Sequence, residues 1–146
     1  MLKYLEFINE NVKYLDIAKE YLKDKKIDID KLQNPGGLCW WFANDFSKWL
    51  NNKSISNKVI NWTGDKGNGN HLVVKIGKDY IDFTFNQFKK SEIPTIKKEE
   101  DYYMYYNEKT EFDTFSDFYK QWFESEKNFI AHLKKEGEWK EPKFKK

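Results

Sequence analysis

The chain has 146 residues, 39% hydrophobic and 34% charged, with aromatics alone at 18%, which fits one soluble domain whose core is built largely from rings. A net charge of +2 demands no polyanionic partner. The absence of arginine also removes the planar fork that reads guanine edges and grips phosphates in pairs, so nucleic acid is not an expected partner. With a single cysteine, an internal disulfide and thiolate-rich zinc sites are excluded.

Residues 1–24 read as a helix, with Leu5, Ile8, Val12, Leu15 and Leu22 on one face and Tyr4, Tyr14, Ala18 and Tyr21 widening it. No uninterrupted apolar run follows Met1, so neither a signal peptide nor a membrane span is expected. Residues 25–37 form a connector ending in Asn34-Pro35-Gly36-Gly37, which cannot continue a helix. Apolar positions 39, 42, 43, 46 and 50 then recur at helical spacing. This puts Cys39 in the first turn of a second helix, on its inward face, with Asp45 at the surface. Trp40, Trp41, Trp49 and Trp62 are expected in the core or on the rim of a cleft.

Residues 57–63 predict a short strand, followed by a Gly-rich loop from Gly64 to Asn70. A phosphate cradle needs a helix after the loop, and the next segment is β-like. The runs His71–Ile76 and Asp79–Phe85 flank Gly77-Lys78 and predict a hairpin closed by a type II′ turn. Residues 87–110, with Pro94, an acidic patch at 99–101 and a Tyr-rich run at 102–106, give no clear period. A last helix is expected from Thr114, capped toward Asp117, with Phe115, Phe118, Tyr119, Trp122, Phe123, Ile130 and Leu133 on its apolar face. His132 falls near its end as a surface or cap-stabilising residue. The closing lysines (Lys140, Lys143, Lys145, Lys146) read as a solvated tail.

The chemistry-bearing residues are few. A lone cysteine is either a small buried hydrophobe or a nucleophile. A helix N-terminus carries partial positive charge, which favours a thiolate there. Of the two histidines, His71 opens the hairpin. If the turn is Gly77-Lys78, Ile76 faces Asp79, Val73 faces Asp82 and His71 faces Thr84. His71 and Asp82 then become diagonal neighbours on one face, roughly 7 Å apart at Cβ. A one-residue slip would separate them onto opposite faces. A carboxylate there fixes the imidazole tautomer and steadies its charged form. Cys39, His71 and Asp82 thus form a candidate nucleophile, base and orienting group. The backbone N–H of Cys39, without a partner inside the helix, and the side-chain amide of Gln33 are candidate oxyanion donors.

These residues carry a resemblance. Gln33-Asn34-Pro35-Gly36-Gly37-Leu38-Cys39-Trp40 resembles the papain-type segment, in which an oxyanion-hole glutamine stands six residues before a cysteine followed by tryptophan. The stretch from Asn70 to Thr84 is similar to the His/Asp hairpin of bacterial papain-fold toxins and protein-glutamine deamidases. It is also similar to the His and Asp strands of transglutaminases and arylamine N-acetyltransferases. The order Cys, His, Asp matches all of these, over about residues 33–88. Two departures stand out: Asp82 where papain proteases carry Asn, and Gly37-Leu38 where they often have Gly-Ser. The first favours the deamidase, transglutaminase and toxin branches.

The resemblance implies a single α+β papain-like or transglutaminase-like domain over residues 1–146. Its cysteine helix would pack on a small antiparallel sheet, with flanking helices at both termini and the site in the groove between helix and sheet. It assigns Trp40, Asn70 and Thr84 to the substrate groove. It implies thiol-dependent hydrolysis of an amide on a protein substrate, most simply glutamine deamidation through a thioester, with no metal or organic cofactor. Proteolysis and transglutamination or acyl transfer remain open within the fold, and a non-enzymatic protein-binding module is the alternative of another class. Partners implied are a protein substrate and a cognate immunity or inhibitor protein, with no membrane. The expected location is the cytoplasm, or a target cell reached without a cleavable signal peptide.

Overall fold

Two strands, β1 (Lys58–Thr63) and β2 (His71–Ile76), bury side chains on both faces, so alternate residues must meet different covers. The computed structural model describes residues 14–31, 38–64, 70–85 and 95–143. It flanks these strands with β3 (Asp79–Asp82), β4 (Thr95–Lys97) and β5 (Glu108–Phe112). The result is an α+β fold around a five-stranded sheet of order β4-β3-β2-β1-β5, antiparallel at every neighbouring pair.

One face of the sheet is covered by α2 (Cys39–Asn52), whose Phe42, Ala43, Phe46 and Leu50 pack with Val59, Leu72, Val74, Ile76, Ile81 and Phe83. The predicted inward positions of this helix are all buried. Its preceding helix, α1, is helical over residues 14–24; the part expected over 1–13 lies outside the described residues. Tyr21 of α1 packs its ring against Phe46, Trp49 and Phe83. Its hydroxyl donates to Asp45 at 2.7 Å. Asp45, expected at the surface, is therefore half-buried and also pairs with Lys25, because a buried phenol needs an acceptor.

The opposite face is covered by the segment that gave no clear period. It contains β4, a single helical turn α3 (Glu99–Tyr102) and β5. Tyr102 and Tyr106 close over Ile60, Trp62, Val73, Tyr80 and Phe85. Gly64, at φ +152°, ends β1; a Cβ there would lie 2.5 Å from the Asn107 backbone nitrogen, which itself donates to Thr63 O at 3.0 Å. Only glycine fits that approach.

The C-terminal helix expected to run unbroken from Thr114 is two, α4 (Phe115–Tyr119) and α5 (Glu126–Lys135). Thr114 Oγ1 accepts from Asp117 N at 3.0 Å, and Ser125 Oγ accepts from Asn128 N at 3.1 Å. A second N-cap starts a second helix. Trp122 therefore falls in the connection and is 58% exposed, not on the buried stripe. Phe118 and Phe129 pack on Trp40 of α2. His132 is exposed in the last turn of α5.

Candidate active site

The hairpin register decides whether a site exists. Ile76 pairs with Asp79, Lys75 with Tyr80 and Val74 with Ile81, as a two-residue Gly77-Lys78 turn requires. Gly77 has φ +62°, whereas Lys78 is not among the residues with positive φ, the pattern of a type II′ turn. His71 and Asp82 consequently share the face covered by Tyr102 and Tyr106. β3 stops at Asp82 and not at Phe85, because the Asp82 carboxylate bonds the chain two residues on: Thr84 N donates to Oδ1 at 2.9 Å and Thr84 Oγ1 at 3.3 Å. Such an Asx turn takes the backbone out of the ladder.

The other carboxylate oxygen holds the imidazole. His71 Nε2 lies 2.7 Å from Asp82 Oδ2, and Tyr102 Oη donates to the same oxygen at 2.8 Å. The side chains are nearly sealed, His71 at 1% and Asp82 at 2% exposure. Burial alone pushes the imidazole toward its neutral form. The Asp82 charge and hydrogen bond, joined by a hydrogen bond to Cys39, outweigh it and raise the His71 pKa to about 10. Burial likewise disfavours the Asp82 carboxylate, but His71, the Thr84 N–H and the Tyr102 hydroxyl together hold its pKa below the ordinary value. Donor and acceptor thus stabilise each other's charged forms.

Cys39 is the first residue of α2. It neighbours His71 although α2 packs on the face of the sheet opposite the imidazole. Nε2 is committed to Asp82, which leaves Nδ1 as the second ring nitrogen, and the neighbouring Cys39 side chain also contributes to raising the His71 pKa. The three groups lie together at the start of α2 and the open end of the hairpin, where helix and hairpin line a common void. Cys39 keeps 5% exposure. The void beside it, about 10 Å³ between Phe42, Ala43, Leu72, Asp82 and Thr84, holds at most one water.

Compared with known proteins, the chain matches no family model, no curated protein and no solved structure. The site is therefore read from its own geometry.

Of the remaining expected site residues, Gln33 lies outside the described residues. Cys39 N occupies the first helical position, where no intrahelical acceptor exists. Asn70 is exposed just before β2, and Trp40 is half-buried against the C-terminal helices. Thr84 is buried and serves Asp82, so it does not line an open wall.

The sequence reading missed the tyrosines. Tyr102 and Tyr106 present near-parallel rings to His71, with centroids 6.0 and 6.1 Å away and planes 28° and 11° apart. Two π faces at this distance favour a charged imidazolium. Their spacing could have signalled this: Tyr106 N donates to Tyr102 O at 2.9 Å, one helical turn that puts residues four apart on one side. Trp62, the cross-strand partner of His71, stacks behind Tyr102 at 4.9 Å. Among the described residues, no group of His, Cys, Asp and Glu stands close enough to hold a metal ion, and no helix is long and apolar enough to cross a membrane.

Proposed function

We propose that this protein is a papain-like thiol enzyme that hydrolyses a carboxamide on a protein substrate, with side-chain glutamine deamidation as its reaction. The observation that carries the reading is the buried relay from Asp82 through His71 to Cys39. A carboxylate and an imidazole committed to each other in a dry site, with a helix-terminal sulfur beside the ring, form a nucleophile–base–orienter constellation. A merely structural buried pair gains little over apolar packing.

In the proposed reaction the Cys39 thiolate attacks the amide carbon, and the developing oxyanion is held by donors at the start of α2. The C–N bond breaks as His71 delivers its proton to the leaving nitrogen, giving ammonia and a thioester. Water then attacks, His71 takes its proton, and the carboxylic acid leaves as the C–S bond breaks. Asp82 stabilises the imidazolium throughout and fixes which nitrogen faces sulfur. The small exposure of Cys39 favours a side-chain amide. One slender group needs a narrow opening, whereas a main-chain substrate needs room on both sides of the scissile bond.

The test uses an N-acylated glutaminyl peptide, with and without hydroxylamine. Ammonia release with conversion of glutamine to glutamate, and hydroxamate in its place when hydroxylamine is present, is the expected result, abolished by Cys39→Ala. Cleavage of the peptide bond would reassign the enzyme to proteolysis. Turnover equal in Cys39→Ala and wild type would end the thiol mechanism.

A further inference from the structure

We infer that Tyr102 is a positioning residue of this site, holding the Asp82 carboxylate charged and aimed at His71. The inference rests on the thiol-enzyme reading and extends it to a residue outside the triad.

Four observations converge on this side chain. Its hydroxyl donates at 2.8 Å to Oδ2 of Asp82, the oxygen that also binds His71 Nε2 at 2.7 Å. With Thr84 holding Oδ1, donors on both oxygens fix the plane of the carboxylate. Its ring lies near-parallel to the imidazole, with centroids 6.0 Å apart, as does that of Tyr106 at 6.1 Å. Trp62 stacks on it, 4.9 Å between centroids at 16°, so the phenol has little freedom to swing away. Finally, Tyr102 is fully buried, where a phenol hydroxyl needs an acceptor, and Asp82 is that acceptor.

The geometry separates Tyr102 from its neighbours. The titratable groups near Asp82 are His71 of β2, Tyr102 of α3 and Tyr106 beyond it, with Cys39 reaching it through His71. Tyr102 donates its hydroxyl directly to the carboxylate. Tyr103, next in sequence, turns its hydroxyl to Glu99 at 3.3 Å and faces solvent. The hydroxyl of Tyr102 touches no atom that reacts, so its effect must pass through Asp82.

Removing that hydroxyl withdraws one donor from a buried anion. The carboxylate then protonates more readily, and protonated Asp82 no longer steadies the imidazolium. The acid limb of the pH–rate profile moves to higher pH. A packing role alone would leave that limb in place.

The experiment compares wild type, Tyr102→Phe, Tyr103→Phe and His71→Ala, full chain, by iodoacetamide inactivation across pH and by NMR of the His71 ring. Tyr102→Phe keeps the stacking ring, and its melting temperature reports whether the fold is retained. Expected are inactivation about tenfold slower at acid pH, as for loss of one charge-assisted hydrogen bond, an acid limb displaced upward by about one pH unit, and a shifted Nε2–H resonance. Tyr103→Phe should match wild type. If His71→Ala slows inactivation but Tyr102→Phe matches wild type in rate, acid limb and resonance, the positioning role is overturned and the enzyme reading stands. If His71→Ala has no effect either, the enzyme reading fails first.

Discussion

The two faces of the sheet are built on different terms. On the α2 face, Phe42, Phe46, Val74, Ile81 and Phe83 meet as apolar surfaces, and burial itself is the stabilising term. On the α3 face, Ile60, Val73, Trp62, Tyr80, Tyr102 and Tyr106 surround a charged pair, His71 and Asp82. Burial there opposes ionisation, and each charge persists only through the other and through donors from Thr84 and Tyr102. One sheet thus carries a stabilising face and a face whose polar groups are held at a cost. The second is where reactivity is expected.

This contrast is most sharply broken by exchanging mutations between the faces. His71→Ala should lower amide hydrolysis by about six orders of magnitude, the effect of removing the base of such a triad, measured as ammonia release by folded protein. Phe46→Ala should do the reverse. It should cost about 3–5 kcal/mol of stability by denaturant titration, while Cys39 in the folded fraction alkylates at the wild-type rate. A large activity loss from Phe46→Ala in fully folded protein would erase the distinction.

A smaller effect sharpens it through pH. The folded pKa of His71 is raised from 6.5 to about 10. Its contribution to stability is therefore complete below pH 6.5 and is lost as pH rises toward 10. The folded pKa of Asp82 is lowered from 3.8, so its contribution is present above that value and is lost as pH falls below it. Stability from the pair is greatest between these limits. Thermal melts should decline on both sides of that window, and Asp82→Asn should flatten the alkaline decline. An alkaline slope unchanged in Asp82→Asn would mean that the carboxylate does not hold the proton on His71.

The smallest effect lies away from both faces. Ser125→Ala, which removes the cap accepting from Asn128 N, should cost about 1 kcal/mol. It should leave the pH profile of Cys39 alkylation unchanged.

What the sequence made legible follows the same division. The α2 face was readable because helical spacing marks an inward stripe, and Cys39, Phe42, Ala43, Phe46 and Leu50 are all buried. The hairpin was readable because Gly77-Lys78 admits one tight turn, and that turn fixed which face His71 and Asp82 share. The α3 face was not. β5 reads Glu-Lys-Thr-Glu-Phe, with only Lys109 and Phe112 partly covered. Its strand conformation comes from pairing with β1, not from its own period. α3 is a single turn, too short for a periodic signal. The break between α4 and α5 was missed because apolar residues continue through Trp122 and Phe123 while Ser125 starts a new cap. Tyr102 and Tyr106 sat in a run noted for its tyrosines, but an aromatic run does not say which hydroxyl will find a carboxylate from another strand.

The central claim is that His71 places a positive charge beside the Cys39 sulfur, and the most direct test is the iodoacetamide rate of Cys39 at pH 6 and pH 8. An unassisted thiol slows by about 75-fold between pH 8 and pH 6, as its thiolate fraction falls. Wild type is expected to show a much smaller ratio, with His71→Ala restoring the unassisted one. A wild-type ratio equal to that of an unassisted thiol and unmoved by His71→Ala would contradict it.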